Sequence, residues 1–296
     1  MNIRGYSGMG TKKERIGSRS IRAIVVDLDG TTLRSNPADG SSYMSDRVAR
    51  ALSERVAEGR AVILCTGRSP DAAEPFRAAV GAEGPMVFYN GAAVVDAPSG
   101  RVLASTLLSA EIASFCAALA ARRDAHFHAF LPGDSLVYGA RRPETDIYEK
   151  RTGLRGEIAD LPSLFRDGGV AASGCIKGMF IAEPAVLDSI HREVADRFGS
   201  LAYMARSHAT YLEVMATGVS KGNALKVALS LRGIGREETV AFGDAENDIP
   251  MLQAAGWAVA VGNAGAAVKA VADEITLAAE EDGVAAYLER IFPETR

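Results

Sequence analysis

The chain has 296 residues, of which 48% are hydrophobic and 24% are charged, and its formal net charge is -4 at pH 7. This length permits a full-sized core with a second, smaller lobe, and the hydrophobic fraction excludes general disorder. The acidic balance excludes a global electrostatic attraction to nucleic acid, so we expect no polyanionic partner.

Apolar runs and cysteines indicate the cellular location of the protein. No apolar run reaches the roughly 18 to 20 residues that span a bilayer, and the N-terminus lacks the apolar stretch of a signal peptide. Cys65, Cys116 and Cys175 are odd in number and scattered, without the spacing of a disulfide framework or a zinc site. We therefore expect a cytoplasmic protein without membrane contact, as a monomer or small homo-oligomer.

The first elements alternate between strand and helix. Residues 1–20 are polar and basic and are predicted to form a loose tail. The β-branched apolar run from Ile21 to Asp27 is typical of a strand that is buried on both faces of a parallel sheet. Ser45 is a suitable N-cap for the helix that follows, and Gly59 is placed to end it.

The same alternation then repeats along the chain. Ala61 to Cys65 predicts a second strand, Ser69-Pro70 opens a second helix that ends near Gly81, and Met86 to Tyr89 predicts a third strand. Later segments continue it: a helix over 220–231, a strand over 239–242, a helix over 251–255 and a strand over 258–261. The pattern predicts an α/β fold, with a Rossmann-like parallel sheet core built from residues 21–96 and 217–296.

The middle of the chain has a different pattern of predicted helices and strands. Between residues 97 and 216, two longer helical stretches, Ala110 to Arg122 and Pro184 to Phe198, stand among alternating strand-like segments. These strand-like segments include Lys177 to Ile181 and Tyr211 to Met215. We expect an inserted α+β cap over 97–216.

Acidic residues collect where predicted strands end, and in a parallel sheet those ends meet at one edge where ligands bind. Asp27 and Asp29 lie two apart, so an extended backbone would direct both carboxylates into one crevice, and Asp244 follows a later strand. Converging carboxylates repel one another unless a cation is present, and Mg²⁺ suits a site completed by water and phosphate. The alternative is a surface turn, in which Asp and Gly are common.

Other polar residues at this edge leave two interpretations open. Lys221 starts a helix, where the macrodipole disfavours a cation; a bound phosphoryl group would reverse that penalty, whereas a solvated lysine would tolerate it. Asp248 could do no more than cap the following helix. Thr66 and Gly67 could hold a phosphoryl oxygen through a hydroxyl and a backbone N–H, or form an ordinary turn.

Taken in order, these motifs resemble the haloacid dehalogenase (HAD) superfamily, specifically its Cof-type phosphatases of subclass IIB, which carry a large cap. The resemblance covers most of the chain. The residues that carry it are Asp27-Leu28-Asp29-Gly30-Thr31, Thr66-Gly67-Arg68, Asn90-Gly91-Ala92, Gly218-Val219-Ser220-Lys221-Gly222-Asn223-Ala224-Leu225 and Gly243-Asp244-Ala245-Glu246-Asn247-Asp248.

The resemblance implies a role for each matching residue. Asp27 would be the nucleophile that attacks phosphorus, and Asp29 would protonate the leaving oxygen and then activate water. Asp27, the backbone carbonyl of Asp29 and Asp244 would hold Mg²⁺. A set of residues that includes the backbone at Leu28 would surround the phosphoryl oxygens. Asp248 would hold Lys221 or a metal-bound water in place. This phosphate-binding set comprises Leu28, Thr66, Gly67, Lys221 and Asn247.

The expected substrate is a small phosphorylated metabolite, such as a sugar phosphate or a phosphorylated cofactor. Two alternatives share the same motifs: a phosphosugar mutase, in which a sugar attacks the phospho-aspartate, and a sensor that binds a phosphorylated metabolite without turnover. The cap would select the leaving group. Its candidate contacts are His128, Tyr138, Arg141, Arg142 and Arg206. The four histidines lack metal-ligand spacing, so a solvated or hydrogen-bonded role is favoured for them.

Overall fold

The structure is a computed structural model that describes residues 21–36, 41–133 and 135–293, with the backbone alone at residues 207 and 208. The predicted tail over residues 1–20 lies outside the described residues. The strands are β1 (Ala23–Val26), β2 (Leu33–Ser35), β3 (Ser42–Met44), β4 (Ala61–Leu64), β5 (Gly84–Phe88), β6 (Ala93–Ala97), β7 (Arg101–Ser105), β8 (His126–Leu131), β9 (Ser135–Tyr138), β10 (Glu157–Ile158), β11 (Lys177–Ile181), β12 (Ala202–His208), β13 (Tyr211–Ala216), β14 (Thr239–Gly243), β15 (Trp257–Ala260) and β16 (Glu274–Ile275).

The helices alternate with the strands at both ends of the chain, as predicted. They are α1 (Asp46–Ala57), α2 (Pro70–Val80), α3 (Ala110–Arg122), α4 (Pro143–Thr152), α5 (Leu161–Leu164), α6 (Pro184–Phe198), α7 (Lys221–Arg232), α8 (Ile249–Ala254), α9 (Ala266–Val271) and α10 (Gly283–Ile291). Local sequence sets several of their ends. Ser45 accepts a hydrogen bond from the Val48 backbone at the start of α1, and Gly81 ends α2 in the left-handed conformation.

A five-stranded parallel sheet forms the core. Its order is β16-β15-β14-β1-β4, and every neighbouring pair is parallel. β1, β4, β14 and β15 are buried along their whole length, which explains their continuous apolar sequences. The segments that follow β1, β4 and β14 therefore meet at one edge of the sheet, where the predicted motifs stand.

The third predicted strand has a more complex role than the sequence indicated. β5 pairs antiparallel with β6, and β6 pairs with β7. An isolated parallel bridge between Cys65 and Val87 joins this three-stranded sheet to the end of β4. Tyr89, predicted as the last residue of the strand, instead begins a single 3₁₀ turn over Tyr89–Gly91.

A second sheet of six strands lies in the middle of the chain, in the order β10-β9-β8-β11-β13-β12. Its pairs are antiparallel except β9 with β10. Successive residues of β11 point to opposite faces: Phe180 packs in a cluster with Leu187 of α6, whereas Met179 joins the cluster of the parallel core. One face of the cap sheet is thus covered by helices, and the other faces the parallel sheet.

Candidate active site

The loops after β1 and β14 bring three carboxylates together. One oxygen from each of Asp27, Asp244 and Asp248 lies within 4.8 Å of the others. Asp27 is 5% exposed and Asp248 is fully buried. Gly30 makes the close approach possible, because a Cβ at that position would lie 2.5 Å from Asp244 Oδ2. The predicted meeting of Asp27 with the distant Asp244 is therefore present in the structure.

Lys221 lies inside this acidic cluster. Its ammonium nitrogen is 2.6 Å from Asp27 Oδ1 and 2.6 Å from Asp248 Oδ1, and the side chain is only 1% exposed. Its position at the first residue of α7, capped by Ser220, directs it towards the ends of β1 and β14. The alternative of a solvated lysine is therefore wrong.

Asp248 also does more than cap a helix. Its carboxylate makes no capping bond to α8. Oδ2 instead accepts the backbone N–H groups of Asp244 at 2.9 Å and Ala245 at 3.0 Å, while Oδ1 accepts from Lys221. The helix-cap alternative is wrong, because this carboxylate holds both the lysine and the loop after β14.

Asp29 lies apart from the three-carboxylate cluster, although it lines the same cavity as Asp27. Arg68 makes a bidentate salt bridge to Asp29, with Nε 2.8 Å from Oδ2 and Nη2 2.6 Å from Oδ1. Burial would raise the pKa of Asp29, but the hydrogen bonds from Arg68 and Ser42 leave it below its ordinary value. The Asp29 side chain is 55% exposed, so solvent screens this effect.

The turn after β4 carries Thr66 and Gly67. The Thr66 hydroxyl is fully buried and accepts the backbone N–H of Arg68 at 3.1 Å. Gly67 lines the cavity, whereas neither Thr66 nor Leu28 is among its lining residues. The Leu28 carbonyl accepts the N–H groups of the next turn, at Thr31, Thr32 and Leu33. The geometry brings Gly67 to the cavity and leaves Thr66 and Leu28 behind it.

Asn247 joins the site through a neighbour from the third motif. Its side-chain nitrogen donates to Asn90 Oδ1 at 2.9 Å, and both residues line the cavity. Asn90 in turn donates to Glu213 Oε2 at 3.1 Å, which links the core loops to the cap sheet.

Sequence reasoning missed several residues that shape this edge. The Thr31 hydroxyl donates to Asp244 Oδ1 at 2.6 Å, and the Asn263 amide donates to the Gly30 carbonyl at 2.8 Å. Arg68 was noted as part of a motif but received no role. Thr31 stands in the first of the motifs that resemble the family, so its position within that motif was the available signal.

The electrostatics of the cluster favour a bound cation. Burial raises the pKa of Asp27 well above its ordinary value, and the charges of Asp248 and Asp244 raise it further, against the charge and hydrogen bond of Lys221. Burial also raises the pKa of Asp244 to about 6, against the hydrogen bond from Thr31. Burial would lower the pKa of Lys221, yet Asp27 and Asp248 raise it above its ordinary range. One lysine thus leaves excess negative charge among three carboxylates.

The donor set fits a hard divalent cation. Lys221 takes one oxygen of Asp27 and Thr31 takes one oxygen of Asp244, which leaves the second oxygen of each carboxylate for coordination. Carboxylate oxygens with water suit Mg²⁺, which prefers oxygen ligands.

The acidic edge opens into a cavity of about 870 Å³ that the cap sheet also lines. Cap residues on its wall include Phe130, Tyr148, Arg151, Lys177, Met179, Tyr203, Arg206, Tyr211 and Glu213. A site with a charged floor and an aromatic, basic wall suits a small anionic ligand with an organic body.

Of the five cap candidates, Arg206 alone is among the described residues that line this cavity. His128 is fully buried against His126, with the two ring nitrogens 2.9 Å apart. Tyr138 donates to Glu149 at 2.6 Å. Arg141 also pairs with Glu149, and Arg142 pairs with Asp124. The side chains of these four are engaged in structural contacts within the cap, as is Arg206, which pairs with Asp188; a single sequence does not reveal such contacts.

A parallel sheet with a buried Asp–Lys–Asp cluster under an inserted cap defines an α/β phosphohydrolase. The chain matches the family model described as haloacid dehalogenase-like hydrolase over residues 24–288. A Streptococcus pyogenes serotype M6 protein named as a phosphatase is 29% identical over 276 residues, covering 90% of this chain and 96% of that protein. The 5-amino-6-(5-phospho-D-ribitylamino)uracil phosphatase YitU of Bacillus subtilis is 28% identical, covering 91% of this chain and 97% of its own.

Solved structures agree with these relatives. TM0651 from Thermotoga maritima has a TM-score of 0.80 at 28% identity, covering 93% of this chain and 98% of that one. The subclass IIB sugar phosphatase BT4131 has a TM-score of 0.73 at 21% identity, covering 91% and 98%, and shows the same fold. The chain belongs to the haloacid dehalogenase-like hydrolase family, and the predicted capped α/β fold and phosphatase class are confirmed.

Among the described residues, no helix combines the length and the apolar character that crossing a membrane requires.

Proposed function

We propose that the protein is a Mg²⁺-dependent phosphatase of small phosphomonoesters that works through a phospho-aspartate on Asp27. The observation that carries the proposal is the contact of Lys221 with Asp27 and Asp248, with Asp244 beside them and with Asp27 and Lys221 on the wall of a capped cavity. A buried nucleophilic carboxylate, a fixed cation and a cluster suited to a metal ion are the parts that phosphoryl transfer requires.

Asp27, Asp244 and the backbone carbonyl of Asp29 would hold the metal ion. When bound, Mg²⁺ supplies positive charge that allows an anionic carboxylate to approach an anionic ester. Asp248 supports the site from behind, since it fixes Lys221 and the loop of Asp244. The acidic cluster and the raised pKa of Asp244 support this assignment.

In the first step, an Asp27 oxygen attacks phosphorus and the bond from phosphorus to the leaving oxygen breaks. Lys221 and the backbone at Gly67 face the phosphoryl oxygens, with Asn247 beside them. Thr66 and the backbone at Leu28 complete the phosphate-binding set by shaping the loops behind Gly67 and Asp27.

Asp29 moves the protons. It donates a proton to the leaving oxygen in the first step and accepts one from the attacking water in the second, which releases phosphate. The Arg68 contact favours the ionised form of Asp29. The first step needs the protonated form, so an arriving substrate must loosen Arg68 from Asp29 before the acid can act.

The substrate class is a phosphorylated metabolite with an organic body that fits the cavity of about 870 Å³. YitU, named for a phosphorylated ribitylaminouracil, supports this class. We assign the substrate-selecting cap to residues 97–216 and the catalytic core to residues 21–96 and 217–296. Phe130, Tyr148 and Tyr211 give the cap wall its aromatic character, which suits a leaving group with an apolar face.

Phosphate release from p-nitrophenyl phosphate, measured with and without MgCl₂, tests the proposal. We expect turnover only with the metal, and Asp27→Asn should abolish it while the fold is retained. Asp167→Asn, the same change at an exposed aspartate of the cap, is the matched control and should retain full activity. Absence of phosphate release, or wild-type turnover in Asp27→Asn, would refute the proposal; sugar-to-sugar transfer of the phosphoryl group would identify a mutase instead.

A further inference from the structure

The turn between β5 and β6 has an unusual backbone. Tyr89 and Asn90 both have positive φ, at 53° and 57°, although neither is glycine. Both side chains are buried. Bulky residues rarely adopt this conformation unless the surrounding structure holds them in it, and such positions concentrate at functional sites.

Asn90 is held at each end of its side-chain amide. Its nitrogen donates to Glu213 Oε2 at 3.1 Å, and its oxygen accepts from Asn247 at 2.9 Å. The amide also packs tightly on the phosphate-binding turn, since a Cβ at Gly67 would lie 2.9 Å from Asn90 Oδ1. One side chain thus touches the cap, the loop after β14 and the turn after β4.

The cap presents Glu213 from β13, an interior strand of its sheet. Glu213 of β13 lies opposite Met179 of β11, and Lys177 stands on the same face of β11. The Lys177 ammonium lies 3.3 Å from Glu213 Oε1, and both side chains are about 95% buried, at 4% and 5% exposed. It also lies over the rings of Phe130 and Tyr89. The lysine supplies the counter-charge that an ionised, buried Glu213 needs.

The direction of hydrogen bonding follows from this pair. An ionised carboxylate only accepts, so Glu213 requires the nitrogen of Asn90 to face the cap. The Asn90 oxygen must then face Asn247, which fixes the Asn247 amide as a donor towards it. Without an acceptor at position 213, the Asn90 amide could turn over and present N–H groups to Asn247.

We propose that Asn90 is a positioning residue, oriented by Glu213 of the cap, that aligns Asn247 and the Gly67 turn for phosphate binding. This inference rests on the proposed function. It gives a role to the Lys177–Glu213 pair, which belongs neither to the metal site nor to the residues that transfer the phosphoryl group.

A matched pair of double variants isolates the acceptor. Lys177→Met with Glu213→Gln removes both charges but keeps an oxygen that Asn90 can reach. Lys177→Met with Glu213→Leu removes the same charges and the acceptor too. The affinity for inorganic phosphate in MgCl₂, measured by titration calorimetry, reports on the site without requiring turnover, and thermal unfolding verifies that each variant is folded.

We expect the leucine variant to bind phosphate about tenfold more weakly than the glutamine variant, which is within the range of coupling between contacting residues. The difference should vanish in an Asn247→Ala background, because the chain of contacts ends there. Equal affinities for the two variants, or a difference that persists without Asn247, would overturn the inference.

Asn90→Gly provides an independent measurement if the leucine variant does not fold. Glycine keeps the left-handed backbone and removes the amide. We expect the same loss of phosphate affinity, together with a lower kcat for p-nitrophenyl phosphate at an unchanged apparent fold. Wild-type affinity in this variant would contradict the role, whereas failure of the wild-type protein to bind phosphate would refute the proposed function and, with it, this inference.

Discussion

Replacing Lys221 with methionine perturbs the centre of the site in a measurable way. The side chain is 1% exposed and contacts the carboxylates of Asp27 and Asp248, both of which are buried. Methionine has a similar length and keeps the packing, so the change removes the charge and its two hydrogen bonds. The variant therefore leaves Asp27 and Asp248 facing each other without a cation.

The magnitude follows from the burial of this cluster. Breaking a buried ion pair by removing one partner costs about 3 to 5 kcal/mol, because an uncompensated charge remains. For a chain of this size each kcal/mol lowers the Tm by about 2 to 4 °C, so Lys221→Met should lower the Tm by about 10 °C in EDTA. Bound Mg²⁺ stabilises the folded state in proportion to the logarithm of its concentration over its Kd. Because the ion replaces the missing charge, MgCl₂ should raise the Tm of the variant more than that of the wild type.

Differential scanning calorimetry in EDTA and in MgCl₂ measures both effects. Lys226→Met is the matched control, since Lys226 is exposed on the same helix α7 and its loss should cost no more than about 0.5 kcal/mol. A Tm of Lys221→Met within 1 to 2 °C of the wild type in EDTA, or one that MgCl₂ does not raise, would show that the carboxylates do not carry the excess charge assigned to them.

Two further predictions concern the stability of the core and the cap. Gly91→Ala should lower the free energy of unfolding by at least about 2 kcal/mol, because φ is +101° and a Cβ would lie 2.2 Å from the Ser220 carbonyl oxygen. Gly100→Ala, where φ is +72° and nothing lies within 4 Å, separates the backbone cost from the clash; equal losses of unfolding free energy would contradict the steric argument. In the cap, hydrogen bonds from Tyr138 and the Gly156 backbone lower the pKa of Glu149 to about 2, below the value of 4.5 expected in the unfolded chain. Glu149→Gln should therefore lower the free energy of unfolding, measured with urea at pH 7, by about 1 to 3 kcal/mol.

The sign of the Glu149 effect fixes its pH dependence. A lowered pKa in the folded state gives stability that is present above pH 4.5 and is lost as the pH falls from 4.5 towards 2. The difference between the wild type and Glu149→Gln should shrink over that range. A difference that stays constant from pH 7 to pH 3 would assign the loss to packing instead of charge.

Local sequence was sufficient for most of the core. Continuous apolar runs such as Ile24 to Val26 predict a buried strand, because a strand covered on both faces has no polar side. Serines and prolines at helix starts mark α1 and α2, since they satisfy or tolerate the free N–H groups there. The order of strand, loop and helix then places the carboxyl ends of parallel strands together.

The cap was predicted with less detail for a physical reason. Helix α4 was not predicted, because its sequence is polar around most of its surface and carries no apolar stripe. The cap candidates were chosen by chemistry alone. All five are engaged in pairs inside the cap, such as Tyr138 with Glu149, and only Arg206 also lines the cavity. Which side chain of a strand faces the cavity depends on which face the helices cover, and that is a tertiary contact.

By itself, the sequence predicted the parallel sheet and the edge where the motifs meet, because these follow from periodicity and from the geometry of strand ends. It singled out the acidic residues and Lys221 at that edge, but left open whether Lys221 is solvated and whether Asp248 only caps a helix. Only the tertiary structure decided how those charges are shared. It pairs Asp29 with Arg68 instead of the acidic cluster, assigns Asp248 to Lys221 and joins Asn90 to Glu213 of the cap. Such pairings join residues that are far apart in the chain. They form only when the folded elements bring those side chains together, which the local sequence does not encode.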